Sequence, residues 1–182
     1  CVRWYNNRSD RLVTAGNYHV RAWFVDFSLP KLHFTDAKMG SIRRVFDCIS
    51  IQHDDAAVWC GTRTGDVVKL KLSDEDMSGL AHGAMGPALL GCSRDRVAKG
   101  VSCIHCVLNP ATGNTNALLG GAGGSIVYMN TSLNLVAGRN AEVMGGVTSM
   151  HFMPDRSGFY CGTDQVCCTI ALFGVVFTSM TS

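Results

Sequence analysis

Apolar and polar positions alternate over short runs along this chain, and the runs recur. Leu12-Val13-Thr14-Ala15-Gly16, Val58-Trp59-Cys60-Gly61-Thr62, Leu118-Leu119-Gly120-Gly121 and Phe159-Tyr160-Cys161-Gly162-Thr163 each place a small-residue–glycine step in β-rich sequence. A polar turn and a second β-rich run follow each: Val20 to Trp23, Val67 to Leu70, Ile126 to Met129 and Val166 to Ile170. Before the last three comes another strand pattern, at Val45 to Ile51, Val101 to Cys106 and Val147 to Phe152. Period-2 alternation bounded by glycine and polar turns is the signal of half-buried strands. Helical periodicity is weak throughout.

The offsets agree between repeats. Cys48 to Gly61 and Ser149 to Gly162 both span 13 positions, and Cys103 to Gly121 spans 18, the excess lying in the turn-rich stretch from Asn109 to Asn114. The anchors Gly16, Gly61, Gly121 and Gly162 are 45, 60 and 41 positions apart. Short strands at such periods predict an all-β propeller with blades of about four strands and ~40–45 residues. The long step takes an insertion, supplied by Ser78–Gly91 and the longer hairpin. The expected blades cover residues 1–30, 45–78, 100–135 and 146–182, the first of them partial, as one propeller segment over 1–182. One blade cannot bury both faces, so stacking about an axis must stabilise it, and an open arc from a larger ring is expected. Val13, Val58, Leu119 and Tyr160 are the expected buried strand positions. A β-branched residue at Gly61 is expected to cost on the order of 1–3 kcal/mol where its backbone is strained or left-handed.

Composition fits this picture. The 182 residues are 47% hydrophobic and 16% charged, which excludes a disordered or solvating chain. Net charge is +2, yet it is unevenly placed: residues 1–44 carry eight basic and three acidic side chains, 45–80 three and seven. No basic run interleaves with aromatics, so no nucleic-acid partner is expected. The chain opens on Cys1, and nothing nearby has the pattern of a signal peptide; it reads as a piece of something larger or an incomplete gene model. The apolar run Val166–Phe177 is shorter than the ~20 residues a bilayer needs and is broken by Gly174, so buried strands and no membrane are expected. Nine cysteines in no regular framework favour free thiols in a reducing compartment. The sequons at Asn7 and Asn130 are short enough to arise by chance.

Candidate chemistry is sparse. Cys103-Ile104-His105-Cys106 has the spacing of a zinc half-site, but on a strand residues three apart point to opposite faces, and no second pair completes four ligands. Cys60 and Cys161 fall at repeat positions where Ala15 and Gly120 stand in the other blades, which is selection for core size. His105 and His151 are repeat-equivalent, with Ser50 at the matching place, and read as hydrogen-bonding strand residues. His82 has no carboxylate close in sequence, and Asp74-Glu75-Asp76 lacks the ligand spacing of a calcium loop. The glycines from Gly120 to Gly124 lack phosphate-loop spacing and predict a tight hairpin. No nucleophile or zinc-protease motif occurs. The expectation is a non-enzyme with no metal and no cofactor.

Thr14-Ala15-Gly16-Asn17-Tyr18-His19-Val20-Arg21-Ala22-Trp23 resembles the end of a WD repeat, with Trp23 followed by Phe24 and Val25 before Asp26. The stretches LVTAGNYHVRAW, DAKMGSIRRVFDCISI with VWCGTRTGDVVKLKL, and GGVTSMHF with FYCGTDQ are similar to consecutive blades of the cilia- and flagella-associated protein 52 family, over residues 10–170 in order. That resemblance implies WD-repeat proteins of two joined propellers, fixed inside the doublet microtubules of motile cilia. It implies tubulin and other microtubule inner proteins as partners, the axonemal doublet lumen as location, and a non-catalytic structural role. A soluble WD-repeat adaptor in a cytosolic complex is the alternative. If turns make the contacts, the hairpin tips Asn17-Tyr18, Arg63-Thr64 and Asp164-Gln165 are the candidates, with the basic 1–44 segment as a second surface for acidic tubulin.

Overall fold

The protein is described here by a computed structural model covering residues 1–28, 31–72, 86–109, 112–153, 158–165, 167–171 and 178–180, the last two stretches by backbone alone. Every regular element among the described residues is a strand. Sheet I holds β1 (Val2–Trp4), β2 (Arg11–Ala15), β3 (Val20–Asp26) and β4 (Lys31–Asp36). Sheet II holds β5 (Phe46–Ile51), β6 (Ala57–Thr62), β7 (Val67–Lys71) and β8 (Ala88–Cys92). Sheet III holds β9 (Val101–Leu108), β10 (Thr115–Gly121), β11 (Ser125–Met129) and β12 (Leu135–Glu142). Sheet IV holds β13 (Val147–Phe152), β14 (Gly158–Thr163), β15 (Cys167–Ala171) and β16 (Thr178–Met180). Each is an antiparallel meander in chain order, the blade unit of a WD-repeat propeller. No helix among the described residues is long and apolar enough to cross a membrane.

The sheets stack face to face in sequence. Between I and II, Val13 and Val20 pack with Phe46, Ile49, Val58, Cys60, Val68 and Leu70. Between II and III, Trp59 and Val67 meet Val101, Ile104, Leu119 and Met129. Between III and IV, Leu118 and Ile126 meet Val147, Met150, Phe159 and Cys161. The period of two explains the division: Val58 and Cys60 turn to sheet I, while Trp59 turns to sheet III. Burying each such large side chain contributes about 1.5–3 kcal/mol, so the three seams hold the stack together.

Sheets II and III are covered on both faces, and every residue of β6 and β10 is buried. Sheet I is covered on one face, and β2 alternates buried with half-buried positions. Its outward face carries an apolar cross-strand row, Trp4–Leu12–Trp23–Phe34, in which Trp4 is 52% exposed. Among the described residues sheet IV is likewise covered on one face. Tyr160 therefore departs from expectation: it is exposed, and its neighbours Phe159 and Cys161 are the buried pair. Val13, Val58 and Leu119 are fully buried as expected.

Three further differences concern register and extent. The structural counterpart of Gly61 is Gly120, not Gly121, because Gly61 pairs with Cys48 as Gly120 pairs with Cys103. By the same register Cys60 and Cys161 match Leu119, paired with Ile49, Met150 and Ile104 respectively. Gly61 has no left-handed backbone; what excludes a side chain there is the approach of Cys48 and Val101. Finally, the sheets run over residues 2–36, 46–92, 101–142 and 147–180, so the first contains four strands like the rest. The acidic turn Asp74–Asp76 and His82 lie outside the described residues, as do Val166 and 172–177 of the apolar run.

Candidate protein-binding surface

The turns between second and third strands and the connections from sheet to sheet form one hydrogen-bonded edge. Tyr18 N donates to Arg44 O (2.9 Å), Phe46 N to Gly16 O (3.1 Å) and Arg63 N to Val45 O (2.9 Å). The same join recurs along the stack, where Val97 N donates to Gly65 O, Ala122 N to Gly100 O, and Asp164 N to Gly146 O. Each turn thus satisfies backbone groups of the neighbouring connection, which fixes the loops on a rigid frame. At its centre is Asp66, buried, whose carboxylate accepts hydrogen bonds from Thr62 and Thr64 hydroxyls, Arg44 Nε (2.8 Å) and the Cys92 thiol (3.3 Å). Burial alone would raise its pKa; the four donors outweigh that and hold the carboxyl well below the usual range.

The six residues singled out from the sequence fall in three turns of this edge. Asn17 forms an isolated bridge with Val45, and its carbonyl lies 3.0 Å from His19 Nδ1. Tyr18 has φ +60° and projects an aromatic side chain that is 61% exposed. Arg63 binds Asp47 through two nitrogens, at 2.9 and 3.1 Å, and that hydrogen bonding raises its pKa. Thr64 is spent on Asp66. Asp164 Oδ1 accepts from Gly146 N at 2.8 Å, and Gln165 N donates to Thr163 Oγ1. Asn17, Tyr18 and Arg63 come together about residues 44–45, while Asp164 and Gln165 lie two sheets further on.

Sequence reasoning missed the cleft beside Tyr18. Its volume is about 510 Å³, and Tyr18, His19, Arg21, Asp36, Lys38 and Arg43 line it. The available signal was Arg43-Arg44 in the polar connection after Gly40, read only as part of a diffuse basic segment.

The cysteine–histidine strand separates its groups. Cys103 packs into the seam between sheets III and IV, and Cys106 into that between II and III. Burial pushes the Cys106 thiol up to about 12 and lowers the His105 pKa. The His105 ring stands edge-on to Phe152, centroids 5.9 Å apart. The glycine-rich stretch after β10 is the tight hairpin expected, closed by Gly124 N donating to Gly121 O, with Gly124 at φ +96°.

No protein-family model matches the chain. Among curated proteins, 150 residues align at 33% identity with one from Chlamydomonas reinhardtii, covering 82% of this chain and 22% of that one. The chain is similar to a segment of cilia- and flagella-associated protein 52. The pig (Sus scrofa) protein of that name is 28% identical over 156 residues, and the human one 27% over 158. The chain spans less than a quarter of the length of these curated relatives, at 22–23%. Similarity to cilia- and flagella-associated protein 52 extends over 82–87% of the chain, so it takes in most of the stacked sheets and not one repeat alone.

Proposed function

We propose that this chain is a non-catalytic structural element of the cilium or flagellum, a microtubule inner protein bracing tubulin and other lumenal proteins of the axonemal doublet. The observation that carries this reading is the similarity to cilia- and flagella-associated protein 52 over more than four-fifths of the chain. The physical logic is consistent with it. Stacked sheets with three apolar seams are stiff, and a loop edge pinned by hydrogen bonds offers several weak contacts at fixed spacing. On a polymer lattice such contacts add through effective concentration, so no single strong site is needed. Asn17, Tyr18, Arg63, Thr64, Asp164 and Gln165 are the proposed contact tips.

Salt extraction of isolated axonemes tests the reading. A lumenal brace stays with the doublets through high-salt washes. Release into the first wash, together with soluble cytosolic proteins, would instead establish the adaptor reading.

A further inference from the structure

Charge along the loop edge is unevenly satisfied. Five of its carboxylates are committed within the fold: Asp36 to Arg21 (2.7 Å), Asp47 to Arg63, Asp66 to Arg44, Asp95 to Leu135 N (3.1 Å) and Asp164 to Gly146 N. Arg43, by contrast, donates only to carbonyls, Gly40 O at 3.1 Å and Ile42 O at 3.2 Å, and no carboxylate pairs with it among the described residues. Carbonyl partners leave a full positive charge to be balanced from outside. The next connection adds Arg94, Arg96 and Lys99, all exposed.

A second, independent observation sits beside Arg43. Among the described residues Tyr18 is one of four non-glycine residues with positive φ, and the bond from its N–H to Arg44 O helps hold it there. A bulky residue is uncommon in that backbone region and persists where its surroundings impose it. The outcome is an aromatic ring held out of the core, at the wall of the 510 Å³ cleft. Exposed, pre-positioned tyrosine next to arginine is the composition of an interface anchor.

We propose that the cleft between the 16–21 turn and the 37–43 connection binds an acidic polypeptide segment, with Tyr18 as the aromatic anchor and Arg43 as the carboxylate partner. Lys38 borders the same cleft, while the charge of Arg21 there is balanced by Asp36, which also lines it. Carboxylate matches the guanidinium fork directly. A nucleic-acid strand would want several stacking platforms in succession, and the cleft offers only the adjacent rings of Tyr18 and His19. This inference rests on the scaffold reading for its setting and names the chemistry of one partner surface.

Fluorescence anisotropy of the full chain against a dye-labelled 12-residue Glu/Gly peptide tests it, with a Gln/Gly peptide and a single-stranded oligonucleotide of equal charge as controls. The Glu peptide is expected to bind, to weaken as salt is raised from 100 to 400 mM, and to exceed the Gln peptide at least tenfold. Arg43→Glu should weaken it at least tenfold and Tyr18→Ala several-fold. Arg139→Glu, on β12 against the Tyr128 ring, should leave it unchanged. If melting shows Arg43→Glu to be unfolded, Lys38→Glu with Tyr18→Ala provides the same comparison. Equal binding of Glu and Gln peptides, unaltered affinity in the cleft variants, or tighter binding of the oligonucleotide overturns the proposal. Loss of peptide binding with doublet retention intact removes this inference alone; early release from axonemes with peptide binding intact removes the scaffold reading alone.

Discussion

Arg44 Nε donates to Asp66 Oδ2 at 2.8 Å, joining the connection that leaves sheet I to the turn at the tip of sheet II. Arg44 is partly exposed and Asp66 is not, with side-chain exposures of 30% and 2%. The carboxylate is thus buried without being stranded, because two threonine hydroxyls and a thiol complete its shell. The same connection carries the backbone oxygens that receive Tyr18 and Arg63. One buried acid therefore organises the part of the loop edge on which binding is proposed.

Replacing Asp66 by Asn should lower stability by about 1.5–3 kcal/mol at neutral pH, the usual loss for a hydrogen bond to a charged group. The folded-state pKa is depressed, so the carboxylate's contribution is complete above the unfolded value of about 4 and fades as pH falls through the folded one. Denaturant titrations between pH 7 and pH 2 should show the wild-type advantage over D66N shrinking below about pH 4. A gap that stays constant over that range would show that the charge plays no part.

Gly61 is predicted to reject even a methyl group. A Cβ there would lie 2.5 Å from Cys48 Sγ and 2.6 Å from Val101 Cγ1, inside the seam between sheets II and III. Overpacking of this kind costs about 1–3 kcal/mol. Gly61→Ala should lower the melting temperature, and the double variant with Val101→Ala should be less destabilised than the two single effects added together. Strict additivity would locate the cost in the backbone instead.

Thiol reactivity should divide by burial. Burial is the first cause of the raised pKa at Cys48, Cys60 and Cys106. A thiol held protonated is a poor nucleophile. Peptide mapping after iodoacetamide at pH 8 should find these three unmodified in the native protein and fully modified in denaturant. Rapid native labelling of Cys60, which is 0% exposed, would contradict the packing of the first seam.

The strands that face another sheet were legible in the sequence, and those that do not were hidden. The patterns around Val13, Val58 and Leu119 alternate because one or both neighbours are apolar sheets. The outermost strands β4, β8 and β12 are exposed or half-buried throughout, so no fully buried face marks them. The three exposed residues of β1 were invisible for the same reason. At Tyr160 the pattern misled, because periodicity tells which residues share a face but not whether a further sheet covers it. The one-residue error at Gly120 has a local cause: the ladder to β9 shifts register between Gly120 and Gly121, so counting along the chain overshoots. Of the proposed binding surface, Tyr18 was legible as a turn residue. The cleft was not, since residues 37–43 approach it only through the folded connection.

The lumenal placement is tested by a cryo-electron microscopy map of native doublet microtubules from cells expressing this chain with a carboxy-terminal tag. Density for stacked four-stranded sheets is expected inside the microtubule wall, with the loop edge at residues 16–19 and 37–44 turned toward tubulin or a lumenal neighbour. Tagged density on the outer wall, or a lumen without these sheets while the tagged chain is recovered from the cytosol, would contradict it.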